Sequence, residues 1–232
     1  MTTTFVTGAT RGLGKETARQ LAAAGHTVWI GARDLDTGHA VAHEISTGPN
    51  AVRAVQLDVT DDASVAAAFA TIGAAGGLDV LVNNAGIGKL GLDGPEALEV
   101  FDTNAVSVVR TTEAALPLLR SSAAPIVVNI SSALGSFAAN HDPEKPASQY
   151  QAIVYGASKA AVSMLTVQYA RAVPEVHFVA VEPGYTATEF GGVPNPHGRP
   201  VEVSAATVAA AAAAGPDGPT GVFLEDGAPL GW

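Results

Sequence analysis

The chain has 232 residues, a formal net charge of −10 and no cysteine. Disulfides, iron–sulfur clusters and thiolate metal sites are therefore excluded, and so acidic a chain lacks the basic footprint of a nucleic-acid binder. The alanine run Ala209–Ala214 falls far short of the ~20 apolar residues that span a bilayer, so no membrane partner is expected. Met1-Thr2-Thr3-Thr4-Phe5 carries neither a basic region nor an apolar signal segment, which points to a cytoplasmic location. His39 and His43 are spaced to share a helix face, but with no third ligand nearby they read as solvated surface, and no metal is expected.

Short apolar runs alternate with amphipathic ones along the chain. Thr4–Thr7 reads as a strand and Gly12–Ala24 as a helix. Thr27–Gly31 and Leu35–Ser46 form the next pair, then Ala51–Leu57 and Asp61–Ala75. Val80–Val82 is a fourth strand, and a long helix lies within Pro95–Leu119. Ile126–Ile130, a helix over Tyr155–Ala172, the strand Val176–Val181, a helix near Ser204–Ala214 and the strand Gly221–Leu224 complete the series. The strands are apolar nearly throughout, as expected when both faces of a sheet are covered. Such alternation with right-handed crossovers gives a doubly wound parallel α/β sheet, here of seven strands with helices on both faces. No linker, composition shift or repeat divides the chain, so residues 1–232 are expected to form a single domain. Ser136–Ile153 and Thr186–Val203 are irregular stretches of the kind that often form functional lids.

Thr7-Gly8-Ala9-Thr10-Arg11-Gly12-Leu13-Gly14 leaves the first strand and opens the first helix, the context of a Rossmann-type dinucleotide turn. Gly8 would permit the tight turn, Gly12 close approach of the pyrophosphate, and Gly14 close packing of helix on strand. The helix N-terminus offers free N–H groups and a partial positive charge to phosphates. The spacing is G-x-x-x-G-x-G, and a glycine-rich turn without ligand is the plain alternative. The second strand runs into Ala32-Arg33-Asp34, where such enzymes choose their cofactor. Ala32 stands at the position where an acidic residue would read the ribose 2′-hydroxyl. Arg33 together with Arg11 would meet a 2′-phosphate, which favours NADP(H). The alternative leaves Arg33 solvated and gives the ribose to Asp34.

Tyr155-Gly156-Ala157-Ser158-Lys159 opens a helix, and residues i and i+4 share a face. A phenol titrates near ~10, and an ammonium beside it favours the phenolate. A tyrosine so placed can exchange a proton near neutral pH, whereas the pair by itself reads first as an ordinary i,i+4 contact on an exposed helix.

In company with Thr7–Gly14, Leu57-Asp58-Val59, Asn83-Asn84-Ala85-Gly86, Asn104, Asn129-Ile130-Ser131-Ser132 and Pro183-Gly184-Tyr185-Thr186-Ala187-Thr188, the pair resembles the short-chain dehydrogenase/reductase family over nearly the whole chain. Ala32-Arg33-Asp34 and the closing Gly221–Trp232 look most like its NADPH-dependent carbonyl reductase branch. The resemblance implies that Tyr155 protonates a carbonyl oxygen, and that Lys159 binds the nicotinamide ribose and lowers the tyrosine pKa. It implies that Ser132, with Ser131 as the other candidate, positions the substrate oxygen, and that Asn104 holds a relay water. It implies that Gly8, Thr10, Arg11, Gly12, Leu13, Gly14 and Arg33 hold the phosphates. Asp58 and Val59 would flank the adenine, Asn84, Ala85 and Gly86 line the cofactor, and Pro183, Gly184, Thr186 and Thr188 lie along the nicotinamide and pyrophosphate.

Ser132 and Tyr155 are 23 residues apart, longer than is usual in the family, and the extra residues fall in Asn140–Ile153. Monomeric carbonyl reductases also carry an insertion here, covering a helix face used elsewhere for pairing, so a monomer is expected, with a homo-oligomer as the alternative. Tyr150 has no lysine four residues later and is not assigned catalysis; Trp232 reads as a packing residue. The pocket is expected between Gly86–Leu92, Leu134–Ile153 and Tyr185–Val193, with Phe137, Phe190 and Val193 as apolar walls favouring an aromatic, aliphatic or hydroxysteroid-like ketone. Two rivals to an NADP(H)-dependent carbonyl–alcohol oxidoreductase are an NAD-dependent alcohol dehydrogenase and a non-catalytic NADP-binding regulator.

Overall fold

Among the residues that the computed structural model describes (1–46, 52–89, 93–192, 195–215 and 217–232), one eight-stranded sheet carries helices on both faces. The elements in chain order are β1 (Thr3–Val6), α1 (Gly12–Ala23), β2 (Thr27–Ala32), α2 (Leu35–Ile45), β3 (Val52–Gln56), α3 (Asp62–Ala74), β4 (Val80–Asn83) and α4 (Gly94–Phe101). There follow α5 (Ser107–Leu119), β5 (Ile126–Ile130), α6 (Phe137–His141), α7 (Ile153–Ala172), β6 (His177–Glu182), α8 (Val201–Ala212), β7 (Val222–Glu225) and β8 (Ala228–Pro229). The strand order is β3-β2-β1-β4-β5-β6-β7-β8, parallel except for β8. The order reverses between β1 and β4, which opens a crevice beyond their carboxyl ends, where such sheets bind ligands.

Register explains why the strands are apolar on both sides. Phe5, Trp29, Leu81, Val127 and Phe178 are mutual register partners and point to one face, packed under α3, α5 and the end of α7. Val6, Ile30, Val82, Val128 and Val179 point to the other, under α1, α2 and α8. Each such side chain contributes ~1.5–3 kcal/mol on burial, and a strand with one polar side would forfeit half of that.

Three elements differ from the sequence expectation. An eighth strand follows the expected seven: Asp226 and Gly227, both at positive φ (49° and 79°), reverse the chain as a hairpin and pair β8 antiparallel to β7. Asp-Gly is the dipeptide that such a turn requires. The long helix expected within Pro95–Leu119 begins at Gly94, capped by Asp93, and is interrupted by a π-helical segment, Asp102–Val106, which carries Asn104. The irregular stretch before Tyr155 holds α6 and short 3-10 turns at Ala133–Gly135 and Pro146–Gln149.

Among the described residues, the hydrogen bonds and ion pairs of that stretch do not reach the outer face of α4 and α7. Its bonds run to the last strands instead: the Ser136 hydroxyl donates to the Gly231 carbonyl (2.6 Å), the Ala138 N–H to Trp232 (2.9 Å), and Lys145 pairs with Glu225 (3.1 Å). Trp232 stacks on Phe223, a packing contact. Leu98, Val106 and Met164, on the outer face of α4, the π segment and α7, stay exposed. No described helix is long and apolar enough to cross a membrane.

Candidate active site

The glycine turn and the start of α1 form one wall of the crevice. A Cβ on Gly14 would lie 2.3 Å from Asn84 Nδ2 and 2.7 Å from the Gly8 carbonyl oxygen, so only glycine fits this approach. Gly12 has φ +53°, and a Cβ there would meet only Thr188 Cγ2 at 3.5 Å. The space above Gly12 is otherwise open, with Thr188 across it. The N-cap of α1 is Arg11, which offers no side-chain acceptor, so the first-turn N–H groups face this space uncapped. Thr10 is partly buried beside them, and Leu13 turns its side chain to the core, leaving only its backbone to a ligand. Asn84 braces the turn by donating to Thr7 O (2.8 Å) and Gly8 O (3.0 Å), and the Thr7 hydroxyl accepts from the N–H of Asn84 and of Ala85.

At the end of β2, Arg33 is exposed, and among the described residues neither it nor Arg11 has a carboxylate within ion-pair distance. Asp34 is engaged. It caps α2, accepting from the Thr37 N–H (2.8 Å) and hydroxyl, and these bonds hold its carboxyl below the usual range. Asp58 closes its own turn onto Thr60, which also lowers it, and Arg33 acts on it at a distance. Val59 is buried in the core, so its side chain does not face the crevice; only its backbone is available there.

The expected catalytic residues converge from three elements. Tyr155 and Lys159 share a face of α7, with Lys159 Nζ 5.7 Å from the centre of the phenol ring. Ser132, in the turn after β5, stands beside the Tyr155 phenol. Its neighbour Ser131 points the other way, bonding Ser163 (2.8 Å) and the Lys159 carbonyl (3.1 Å). Asn104 reaches in from the π segment, a distortion frequent at functional sites. Both of its amide hydrogens are used, on the Ile87 carbonyl (3.0 Å) and Ser158 Oγ (3.0 Å), while Oδ1 accepts from the Ile87 N–H (2.8 Å). One lone pair of Oδ1 is left for a water. Asn104 and Lys159 meet at Gly86, where a Cβ would stand 3.3 Å from Oδ1 and 3.7 Å from Nζ.

The electrostatics correct one expectation. Lys159 was expected to bring the phenol down, but burial pushes Tyr155 above its ordinary value and the Glu182 carboxyl adds to this; Ser132 is the group that opposes it. Lys159 is itself 4% exposed, with its ammonium donating to the Ile130 carbonyl (2.7 Å). Burial lowers it to about 8, partly offset by Glu182. A lysine that surrenders its proton so readily is a weak counter-charge in the free protein. Glu182 was not foreseen as part of the site. Its signal was present: a carboxylate ending the apolar strand Phe178-Val179-Ala180-Val181, directly before Pro183-Gly184.

The segment after β6 roofs the site. Pro183 is buried, and Gly184 has φ +81° with the Arg199 side chain packed behind it. The Thr186 hydroxyl donates to the Gly184 carbonyl (2.8 Å) and bonds Ser204 (2.7 Å). Phe190 sets its ring against Tyr155, centroids 5.6 Å apart at 63°, and lies directly over Gly88. Tyr150 and Tyr185 pair at 6.0 Å. Phe137 is exposed. Val193 and residues 90–92 lie outside the described residues.

Comparison with known proteins identifies the family. Residues 2–196 match the family model described as short chain dehydrogenase. The short-chain dehydrogenase anuI of Penicillium roqueforti is 31% identical over 201 residues, covering 81% of this chain and 80% of its own. Among solved structures, salutaridine reductase from Papaver somniferum superposes with a TM-score of 0.81 at 27% identity, covering 96% of this chain and 99% of that one. An alcohol dehydrogenase from the archaeon Thermococcus sibiricus, solved with 5-hydroxy-NADP, gives 0.83 at 26% identity, covering 97% and 95%. The chain belongs to the short-chain dehydrogenase family of oxidoreductases.

Proposed function

We propose that residues 1–232 form one catalytic domain that uses NADP(H) to interconvert a small ketone or aldehyde and its alcohol, with Tyr155 as the proton donor or acceptor. The observation that carries this reading is the convergence of the Tyr155 phenol, the Ser132 hydroxyl and the Lys159 ammonium beside Gly86, at the mouth of the phosphate cradle. The residues present fit the dinucleotide. The α1 N-terminus is uncapped over an open space, the Arg11 and Arg33 guanidiniums have no ion-pair partner among the described residues, and Asp34, just beyond β2, is spent on a helix cap. Favouring NADP(H) over NAD(H) rests on those last two facts. The solved relative holding 5-hydroxy-NADP supports the same choice.

NADP(H) supplies the hydride when bound. The protein's share is to orient the carbonyl, exclude water and move one proton. Ser132 donates a hydrogen bond to the substrate oxygen, and Tyr155 gives that oxygen its proton. Lys159 holds the ribose hydroxyls and, once protonated, steadies the phenolate left behind. Asn104 fixes Ile87 and Ser158, and through its free lone pair holds the water that returns a proton towards Lys159. Phe190, against Tyr155 and over Gly88, gives this point an aromatic wall, which favours an apolar ketone. Tyr155→Phe tests the reading: ketone reduction is expected to fall by about 10²–10⁴-fold, as for loss of a general acid, with NADPH affinity retained. Near-normal turnover by that variant would refute it.

A further inference from the structure

Glu182 is a carboxyl group at the carboxyl end of β6, and it is 6% exposed. Burying a carboxylate is costly unless donors surround it, and the fold supplies two backbone N–H groups. The Ala133 N–H donates to Oε2 and the Gly184 N–H to Oε1 (2.6 Å), with the Ser132 hydroxyl alongside. Ala133 and Ser132 belong to the turn after β5, and Gly184 to the turn after β6. One side chain thus ties together the two turns that flank the reacting centre. An amide would not serve equally, because glutamine has a single acceptor oxygen and would set its NH2 against one of the two backbone N–H groups.

The charges that face this group are few. Tyr155 and Lys159 face it from α7. Glu225, its register partner on β7, faces it from the side and is paired with Lys145. Arg199 backs Gly184 but is held by Asp226 (2.8 Å).

We propose that Glu182 is a positioning residue of the site: its buried carboxyl clamps the Ser132 turn to the Gly184 turn and sets the negative charge that the Tyr155 phenol faces. Ser132 then keeps its place relative to both Tyr155 and the segment Pro183–Thr188. The phenol beside an anion holds its proton more firmly, which suits a residue that must deliver that proton only to a carbonyl oxygen. This rests on the catalytic reading of Tyr155, so its test includes a measurement made without cofactor or turnover.

The experiment compares the full-length wild type, Glu182→Gln and Glu182→Asp, each with and without Tyr155→Phe. The absorbance change on phenolate formation, differenced against the Tyr155→Phe partner, isolates the Tyr155 titration from the other three tyrosines. In Glu182→Gln that titration is expected at least half a pH unit below the wild type, with kcat for ketone reduction down at least tenfold and NADPH affinity within about twofold. Glu182→Asp keeps the charge but shortens the reach; it should lose kcat while titrating Tyr155 near the wild-type position. An unmoved titration in Glu182→Gln, an unchanged kcat, or an equally displaced titration in Glu182→Asp each overturns the proposal. Should the glutamine variant fail to fold, the aspartate variant decides by the same two readings. Failure of the catalytic reading would show separately, as turnover by the Tyr155→Phe single variant.

Discussion

Arg33→Ala is the sharpest test of cofactor choice, because the structure predicts an effect on one cofactor and none on the other. Arg33 is exposed, and no described carboxylate lies within ion-pair distance of it, so its removal breaks no structural bond. A hydrogen bond to a charged group contributes about 1.5–3 kcal/mol. Solvent screening at this exposed position reduces that to about 1–2 kcal/mol. At 1.4 kcal/mol per factor of ten, NADPH should bind about 5- to 30-fold more weakly, while NADH, lacking the 2′-phosphate, should bind as before. Titration with each cofactor, followed by nicotinamide fluorescence, gives both constants. Repeating it at higher salt should shrink the NADPH effect alone. Asp34→Ala is the control: it removes the α2 cap and should lower thermal stability without touching NADH affinity. Equal losses for both cofactors in Arg33→Ala, or a selective loss of NADH in Asp34→Ala, would refute the reasoning and return the ribose to Asp34.

Two further predictions concern the wall and the floor of the site. Gly14→Ala drives a methyl group into Asn84 and the Gly8 carbonyl, so it should cost about 1–3 kcal/mol in urea unfolding and weaken both cofactors; Gly94→Ala, with nothing within 4 Å of its Cβ, should be tolerated. A Gly14→Ala protein of full stability and affinity would show that the turn is not built as described. Lys159 titrates at about 8 in the folded protein, against an ordinary value of 10.5. NADPH affinity should therefore fall as pH rises through about 8, where the ammonium is lost, and Lys159→Met should flatten that dependence. Between about 8 and 10.5 the unfolded chain binds the extra proton, so this residue makes stability rise with pH over that window, which thermal unfolding of the two proteins can check.

The features legible in the sequence were those written locally. Strand and helix periods, the glycine turn and the Tyr155–Lys159 spacing each occupy a few consecutive residues, and the structure reproduces them within a few residues at each end. The eighth strand was equally local, in Asp226-Gly227, but two residues of β8 are too short to show a period of their own. The π segment was not legible, because nothing in Asp102–Val106 marks an altered hydrogen-bond pattern; Asn104 drew notice through the family resemblance.

What the sequence could not tell was how long-range partners had already committed a group. Asp34 as a ribose reader and Asp34 as a helix cap are the same letter, and only the bond to Thr37 separates them. The two serines after β5 are adjacent, yet strand alternation sends Ser131 to Ser163 and Ser132 to Tyr155. The same reasoning bears on Tyr155. From spacing alone the neighbouring cation should dominate, but a buried lysine is weakened by the enclosure that brings it close, while a carboxyl 27 positions further along the chain is brought in by β6. Proton affinity at the reacting oxygen is therefore set first by burial, then by the Glu182 carboxyl against the Ser132 hydroxyl. A mutation at Ser132 or Glu182 should act on the phenol in opposite directions, and the pair should be non-additive because Ser132 lies beside both Tyr155 and Glu182.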